Sequence, residues 1–117
     1  MKWLWIAVCL SLVSIAHAAA AATTEIEALL AHVKQLEGAA FIRNGSEHTP
    51  VAAEAHLRMK WEKQAAKIKT AEDFIELCAT KSSLSSDRYR IRMKDGAVRD
   101  SAEVLRERLA ELRQAGR

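Results

Sequence analysis

The sequence predicts an α+β domain, mostly helical, with about four helices packed on a small two- or three-stranded antiparallel sheet. Three observations carry this expectation. Apolar residues recur at helical spacing in four separate segments. Tyr89 to Lys94 alternates strictly, with Tyr89, Ile91 and Met93 facing one way and Arg88, Arg90, Arg92 and Lys94 the other, which is the period of a half-buried strand. The dipeptides Asn44-Gly45 and Asp95-Gly96 supply tight turns between extended segments.

In chain order, Lys2 gives a short positive start and Trp3 to Ile15 is an apolar run broken only by Ser11 and Ser14. Ala16-His17-Ala18 then has the small-x-small pattern read by signal peptidase, so residues 1–18 are expected to be a secretory signal peptide. Cleavage is expected after Ala18, with Ala20 and Ala22 as the alternatives. An alanine tract rather than a polar flank follows the run, which argues against a spanning helix and an integral membrane protein. Val8 before Cys9 is too bulky for a lipid-attachment site.

Residues 19–117 then form one small domain. Thr24-Glu25-Ile26-Glu27 reads as a capping box opening a helix whose stripe is Ile26, Leu29, Leu30, Val33 and Leu36, with Gly38 as its left-handed stop. His32 flanks that stripe as a polar residue. Ala39 to Arg43 is a short strand ending at Asn44-Gly45. Thr49-Pro50 caps a second helix reaching about Lys69, with Ala53, Leu57, Trp61, Ala65 and Ile68 inward. Arg58, Lys60, Lys63, Lys67 and Lys69 are expected to keep its other side wet.

Thr70-Ala71-Glu72-Asp73 is a second capping box, opening a short helix that turns Phe74, Ile75, Cys78 and Ala79 inward. A serine-rich loop follows. After the alternating strand, Asp95-Gly96 turns the chain into a short return segment, Ala97 to Arg99. Asp100 or Ser101 caps the last helix, with Leu105, Leu109 and Leu112 as its core stripe and a fraying end at Arg113 and Gly116-Arg117.

Composition limits the function classes. The formal charge of +3 drops by the one unit of Lys2 to +2 in the exported chain, too mild to argue for nucleic acid. Cys78 is then the one remaining cysteine, so no internal disulfide forms and stability must come from packing. A chain of this length buries roughly 60–65% of its unfolded surface, enough for one core.

His48 and His56, with Glu47 and Glu54 nearby, bring metal chemistry to mind, but the spacing matches no ligand motif and no metal or cofactor is implied. Ser82 and Ser83 offer hydroxyls, His56 a base and Asp73 or Asp87 an acid, yet no Gly-x-Ser-x-Gly or Ser-x-x-Lys motif localises an activated serine. Cys78 shares a face with Phe74 and Ile75 and reads as a buried, inert thiol. Arg88, Arg90, Arg92 and Lys94 form a row of roughly 20 Å that suits an anionic surface, or else a solvated face that deters edge pairing.

The blocks Phe41-Ile42-Arg43-Asn44-Gly45, Ala55-His56-Leu57-Arg58-x-Lys60, Thr70 to Glu76, Ala79-Thr80-Lys81-Ser82-Ser83-x-Ser85 and Tyr89 resemble a family of short exported bacterial proteins catalogued as a domain of unknown function. The resemblance covers nearly all of residues 19–117. It implies a Gram-negative periplasmic setting and no particular activity. Where the family often has cysteine, Ser-Gly and tryptophan, this chain has Ala40, Ser85-Ser86 and Val104, so no thiol role at the first position carries over.

The matching blocks nominate Arg43, Asn44, His56, Lys60, Ser82, Ser83 and Tyr89, either as turn and cap residues with a His56–Tyr89 contact, or as the lining of a cleft for a small anion or peptide. The resulting expectation is a periplasmic, non-catalytic binding or interaction module using these residues and Arg88, Arg90 and Arg92. Its partner would be an anionic envelope component or an acidic protein. A small hydrolase or cell-wall-active enzyme using His56 with Ser82 or Ser83 is the alternative.

Overall fold

A computed structural model describes the backbone of residues 2–116 and the side chains of residues 17–116. Four helices and a four-stranded antiparallel sheet alternate along the chain: α1 (Lys2–Lys34), β1 (Ala40–Arg43), β2 (Ser46–His48), α2 (Pro50–Gln64), α3 (Ala71–Cys78), β3 (Arg90–Arg92), β4 (Val98–Asp100) and α4 (Ser101–Ala115). The expected α+β architecture is observed, with four strands where two or three were anticipated.

The additional strand is β2. Asn44 and Gly45 both adopt positive φ, 51° and 78°, as a two-residue turn of type I′ requires. That turn folds Ser46–His48 back on β1, pairing Phe41 with His48 and Arg43 with Ser46. Sheet order is β2-β1-β3-β4. Phe41 lies opposite Ile91, and both are buried on the side covered by helices. By strand alternation Arg43, Ser46 and His48 share that side, beyond the edge of the core. Ile42, Glu47, Arg90 and Asp100 share the outer side.

The core joins Ile26, Leu29, Leu30 and Val33 of α1 to Ala53 and Leu57 of α2, Phe74, Ile75 and Cys78 of α3, and Leu105 and Leu109 of α4. Trp61 packs edge-on against Phe74 at 6.0 Å between ring centroids. Burial pushes the Cys78 thiol up to about 11, the chemistry of a structural cysteine. Among the described residues no helix is long and apolar enough to cross a membrane.

Several boundaries differ from expectation for local reasons. Thr24 does not cap: α1 is continuous through it, and Thr23 and Thr24 donate their hydroxyls to the carbonyls of Ala19 and Ala20 at 3.1 and 3.0 Å. The alanine tract before it has the highest helix propensity of any residue, so the helix reaches Thr24 already formed. Gly38 has φ +74° but lies in a turn four residues beyond the end of α1, where its missing Cβ admits the Lys94 side chain.

Helix α2 ends at Gln64 and tightens into a 3₁₀ turn over Ala65–Lys67. The extended backbone that Thr70 needs as N-cap stops it, because Asp73 accepts from the N–H groups of both Lys69 and Thr70. Ala65 is consequently exposed while Ile68 remains buried. Thr49 caps α2 as expected, accepting from Ala52 N–H at 3.2 Å.

Asp100 occupies the N-cap position of α4, but its side chain makes no capping bond. Its carboxylate is held by Arg88 at 3.0 Å and lies 4.0 Å from Arg90. The expected frayed end at Arg113 is instead tied down. Arg113 donates to Glu25 of α1 and to Glu72 of α3, two bonds to each carboxylate. Arg58 binds Glu27 in the same two-bonded way and also reaches Glu54.

Candidate functional site

The helical repeat places His56, Met59, Lys60, Lys63 and Gln64 on one stripe of α2, rotated away from the buried Ala53–Leu57 stripe. Facing it are Arg43, Ser46 and His48 from the inner end of the β1–β2 hairpin. Ser82, Ser83 and Leu84 from the serine loop close a third side, and the buried Tyr89 completes the lining. Together these residues enclose a cleft of about 700 Å³. Arg43, Asn44, His56, Lys60, Ser82, Ser83 and Tyr89, far apart in sequence, therefore line one depression. Arg88, Arg90 and Arg92 do not.

The serine loop is fastened rather than loose. Ser82 N–H donates to Asp87 O at 2.8 Å and Ser86 N–H to Ser82 O at 3.1 Å. The Ser82 hydroxyl oxygen accepts from Leu84 N–H and from the Asn44 amide, each at 3.1 Å. Ser85 donates to the Asn44 carbonyl oxygen. Asn44 thus serves the hairpin turn with its backbone and docks the loop with its side chain.

Lys60 departs from the expected wet face. It is buried, and its ammonium donates to Lys81 O at 3.2 Å and to the Tyr89 hydroxyl oxygen at 3.1 Å. Lys60 is donor only, so Tyr89 accepts from it, and the same hydroxyl lies 3.3 Å from His56 Nε2. With one hydrogen and a second lone pair to offer, that hydroxyl either donates to Nε2 of a neutral ring or accepts from Nε2–H.

Electrostatics favour the neutral ring. The His56 pKa falls from its ordinary 6.5 to about 4, first through burial and then through repulsion from Arg43, Lys60, His48 and Lys63. Among the described residues no carboxylate lines the cleft. Arg43, Lys60 and Lys63 form no ion pair among the described residues, so their fields add. The outer strand differs: Arg88 and Arg90 meet Asp100, and Arg92 pairs with Glu47.

For nucleophilic chemistry the geometry offers less. His56 faces Tyr89, and no hydrogen bond joins it to Ser82 or Ser83 among the described residues. Ser82 is buried with its oxygen already accepting twice. Among the described residues no group of three or more His, Cys, Asp or Glu could hold a metal ion.

Ser46, His48, Met59, Lys63, Gln64 and Leu84 also line the cleft and were not nominated from the sequence. A signal existed for Lys63, which stands seven residues after His56 and so on the same helical stripe. Ser46 and Leu84 carried none, since their positions depend on the hairpin and the loop meeting α2.

Fold and site define a small α+β domain with a cation-lined cleft between one helix, a hairpin tip and a serine loop. The chain belongs to the family of unknown function DUF5329, whose match spans residues 20–113. It is also similar to the uncharacterised protein YfeK of Salmonella typhimurium strain LT2, 34% identical over 84 residues, covering 72% of this chain and 70% of that one. No solved structure matches it.

Depression of the His56 pKa has a signed consequence for stability. The unfolded chain takes up the proton near pH 6.5, whereas the folded protein resists until about 4. The stability contribution is therefore complete above pH 6.5 and is lost as pH falls towards 4. His32, depressed first by burial and then by Arg108, acts in the same direction. Glu27 and Glu72, lowered first by their bonds to Arg58 and Arg113, add a loss only below their ordinary 4.5. Urea midpoints between pH 7.5 and 4.5 are expected to fall less steeply for His56→Gln than for the wild type; parallel curves would contradict the assignment.

Proposed function

We propose that the protein is a non-catalytic binding module of the bacterial envelope that holds an anionic group in the cleft. The observation that carries this reading is the convergence of Arg43, Lys60 and Lys63 without a carboxylate, in a protein whose outer strand arginines have acidic neighbours. Holding like charges together raises the energy of the empty site, and a bound anion relieves it. Binding is favoured over hydrolysis because His56 is committed to Tyr89 and Ser82 to Asn44 and Leu84. An anionic envelope component suits the setting, with sulfate as a convenient probe because it stays doubly charged across the working pH range.

Calorimetric or NMR titration with sodium sulfate at low ionic strength tests this directly. The Arg43→Gln/Lys63→Gln variant should weaken binding about tenfold or more, a loss of roughly 1.4 kcal/mol for two cation contacts. Arg90→Gln/Arg92→Gln on the outer face should bind as the wild type does. Equal affinity for wild type and the cleft variant, or loss only in the strand variant, would refute the cleft.

Export belongs to the same proposal. Lys2, the apolar run to Ile15 and Ala16-His17-Ala18 support it, and the family match begins at residue 20, just past the expected cleavage point. Intact mass of the protein from a periplasmic extract should lack residues 1–18, or as many as 22. Full-length protein retained in the cytoplasm would rule export out.

A further inference from the structure

The cleft is larger than a simple anion needs, and part of its wall is hydrocarbon. Its volume of about 700 Å³ falls within the range of pockets that enclose organic ligands. Leu84 is 93% exposed and Met59 42%, and both line this cleft. Leu84 is no loose tip. Its own N–H is bound by Ser82, Ser82 N–H is bound to Asp87, and Asn44 fastens the loop to the hairpin. The fold therefore holds a leucine side chain out of its core, at the mouth of a cationic depression. Met59 stands on the same stripe of α2 as Lys60 and Lys63.

We propose that the ligand is a single amphiphilic organic anion. Its charged head lies among Arg43, Lys60 and Lys63, and its apolar chain lies against Met59 and Leu84. This rests on the anion-binding reading of the cleft and adds the chemical class of what is bound. Concavity favours one molecule over a membrane surface: Arg43, Lys60 and Lys63 converge on one depression that the buried Tyr89 also lines, where a headgroup enters singly, rather than across a flat face. Apolar contact supplies the part of recognition that salt does not screen, since burial of hydrocarbon is independent of charge.

Methyl sulfate and hexyl sulfate carry the same charge and differ only in chain length, so the ratio of their affinities isolates the apolar contact. Below its micelle concentration, hexyl sulfate should bind the protein at least about tenfold tighter than methyl sulfate, as burial of a few methylenes requires. Leu84→Ser and Met59→Gln, both at exposed positions, should each shrink that ratio about threefold or more. Hexanoate in place of hexyl sulfate reads whether a carboxylate head is also accepted, and a tenfold preference for it over acetate supports the same class. A ratio near one, or a ratio unchanged by Leu84→Ser, overturns the amphiphile while sulfate binding leaves the anion site standing. Tighter, Leu84-dependent binding to anionic lipid vesicles than to hexyl sulfate overturns it in favour of a membrane surface. Failure of every anion, inorganic sulfate included, removes the cleft reading itself.

Discussion

The buried ammonium of Lys60 is the interaction on which the cleft depends. It leaves α2, crosses to the connection after α3 and donates to Lys81 O, then meets the Tyr89 hydroxyl just before β3. Three segments distant in sequence are thereby fixed against one another. A buried cation loses its hydration, and here two neutral oxygens replace it rather than a carboxylate. The ammonium also lies 4.8 Å from the centre of the Tyr89 ring, but no carboxylate among the described residues pairs with its charge. Its field reaches His56 through Tyr89 and adds to that of Arg43 and Lys63. Fold and electrostatics share a cause: the residue that joins the walls also makes the space between them positive.

The sequence carries a basic strand row and a basic second helix, and the structure separates them by what lies opposite each. Arg90 faces Asp100 across the β3–β4 pair, Arg88 just before β3 binds the same carboxylate, and Arg92 reaches Glu47 on β2. Such cross-strand pairs hold a small sheet in register, worth a few tenths to about 1 kcal/mol each. The cleft cations have no such neighbours among the described residues. Charge count alone could not distinguish a row that staples strands from a group that attracts a ligand, because the acids that neutralise the first lie at positions 47 and 100, outside the strand's own segment.

Features set by a few adjacent residues were legible in the sequence. Thr49-Pro50 and Thr70 to Asp73 start helices because their capping geometry closes within four residues. The inward faces of α1 and α3 followed from periodicity, since the spacing of apolar residues along one helix is written within that helix. What escaped depended on distant partners. Ser46–His48 is too polar to read as a strand and becomes one because the Asn44-Gly45 turn lays it on β1. Lys60 reads as a solvated lysine until the chain at Lys81 and Tyr89 covers it. Thr24 has the residues of a cap, but the alanine tract before it keeps the helix going. Arg43, His56 and Tyr89 could be nominated from their matching blocks, yet their convergence is a product of tertiary packing.

Arg43, Lys60 and Lys63 act together on the space that His56 borders, and everything proposed for the cleft rests on that coupling. Direct NMR titration of the His56 ring, with and without saturating sulfate at constant ionic strength, measures it. The expected result is a pKa near 4 in the free protein that rises towards its ordinary 6.5 when the anion binds, because proton and anion each offset the same cations. A His56 pKa already near 6.5 in the free protein, or one that sulfate leaves unmoved, would contradict it.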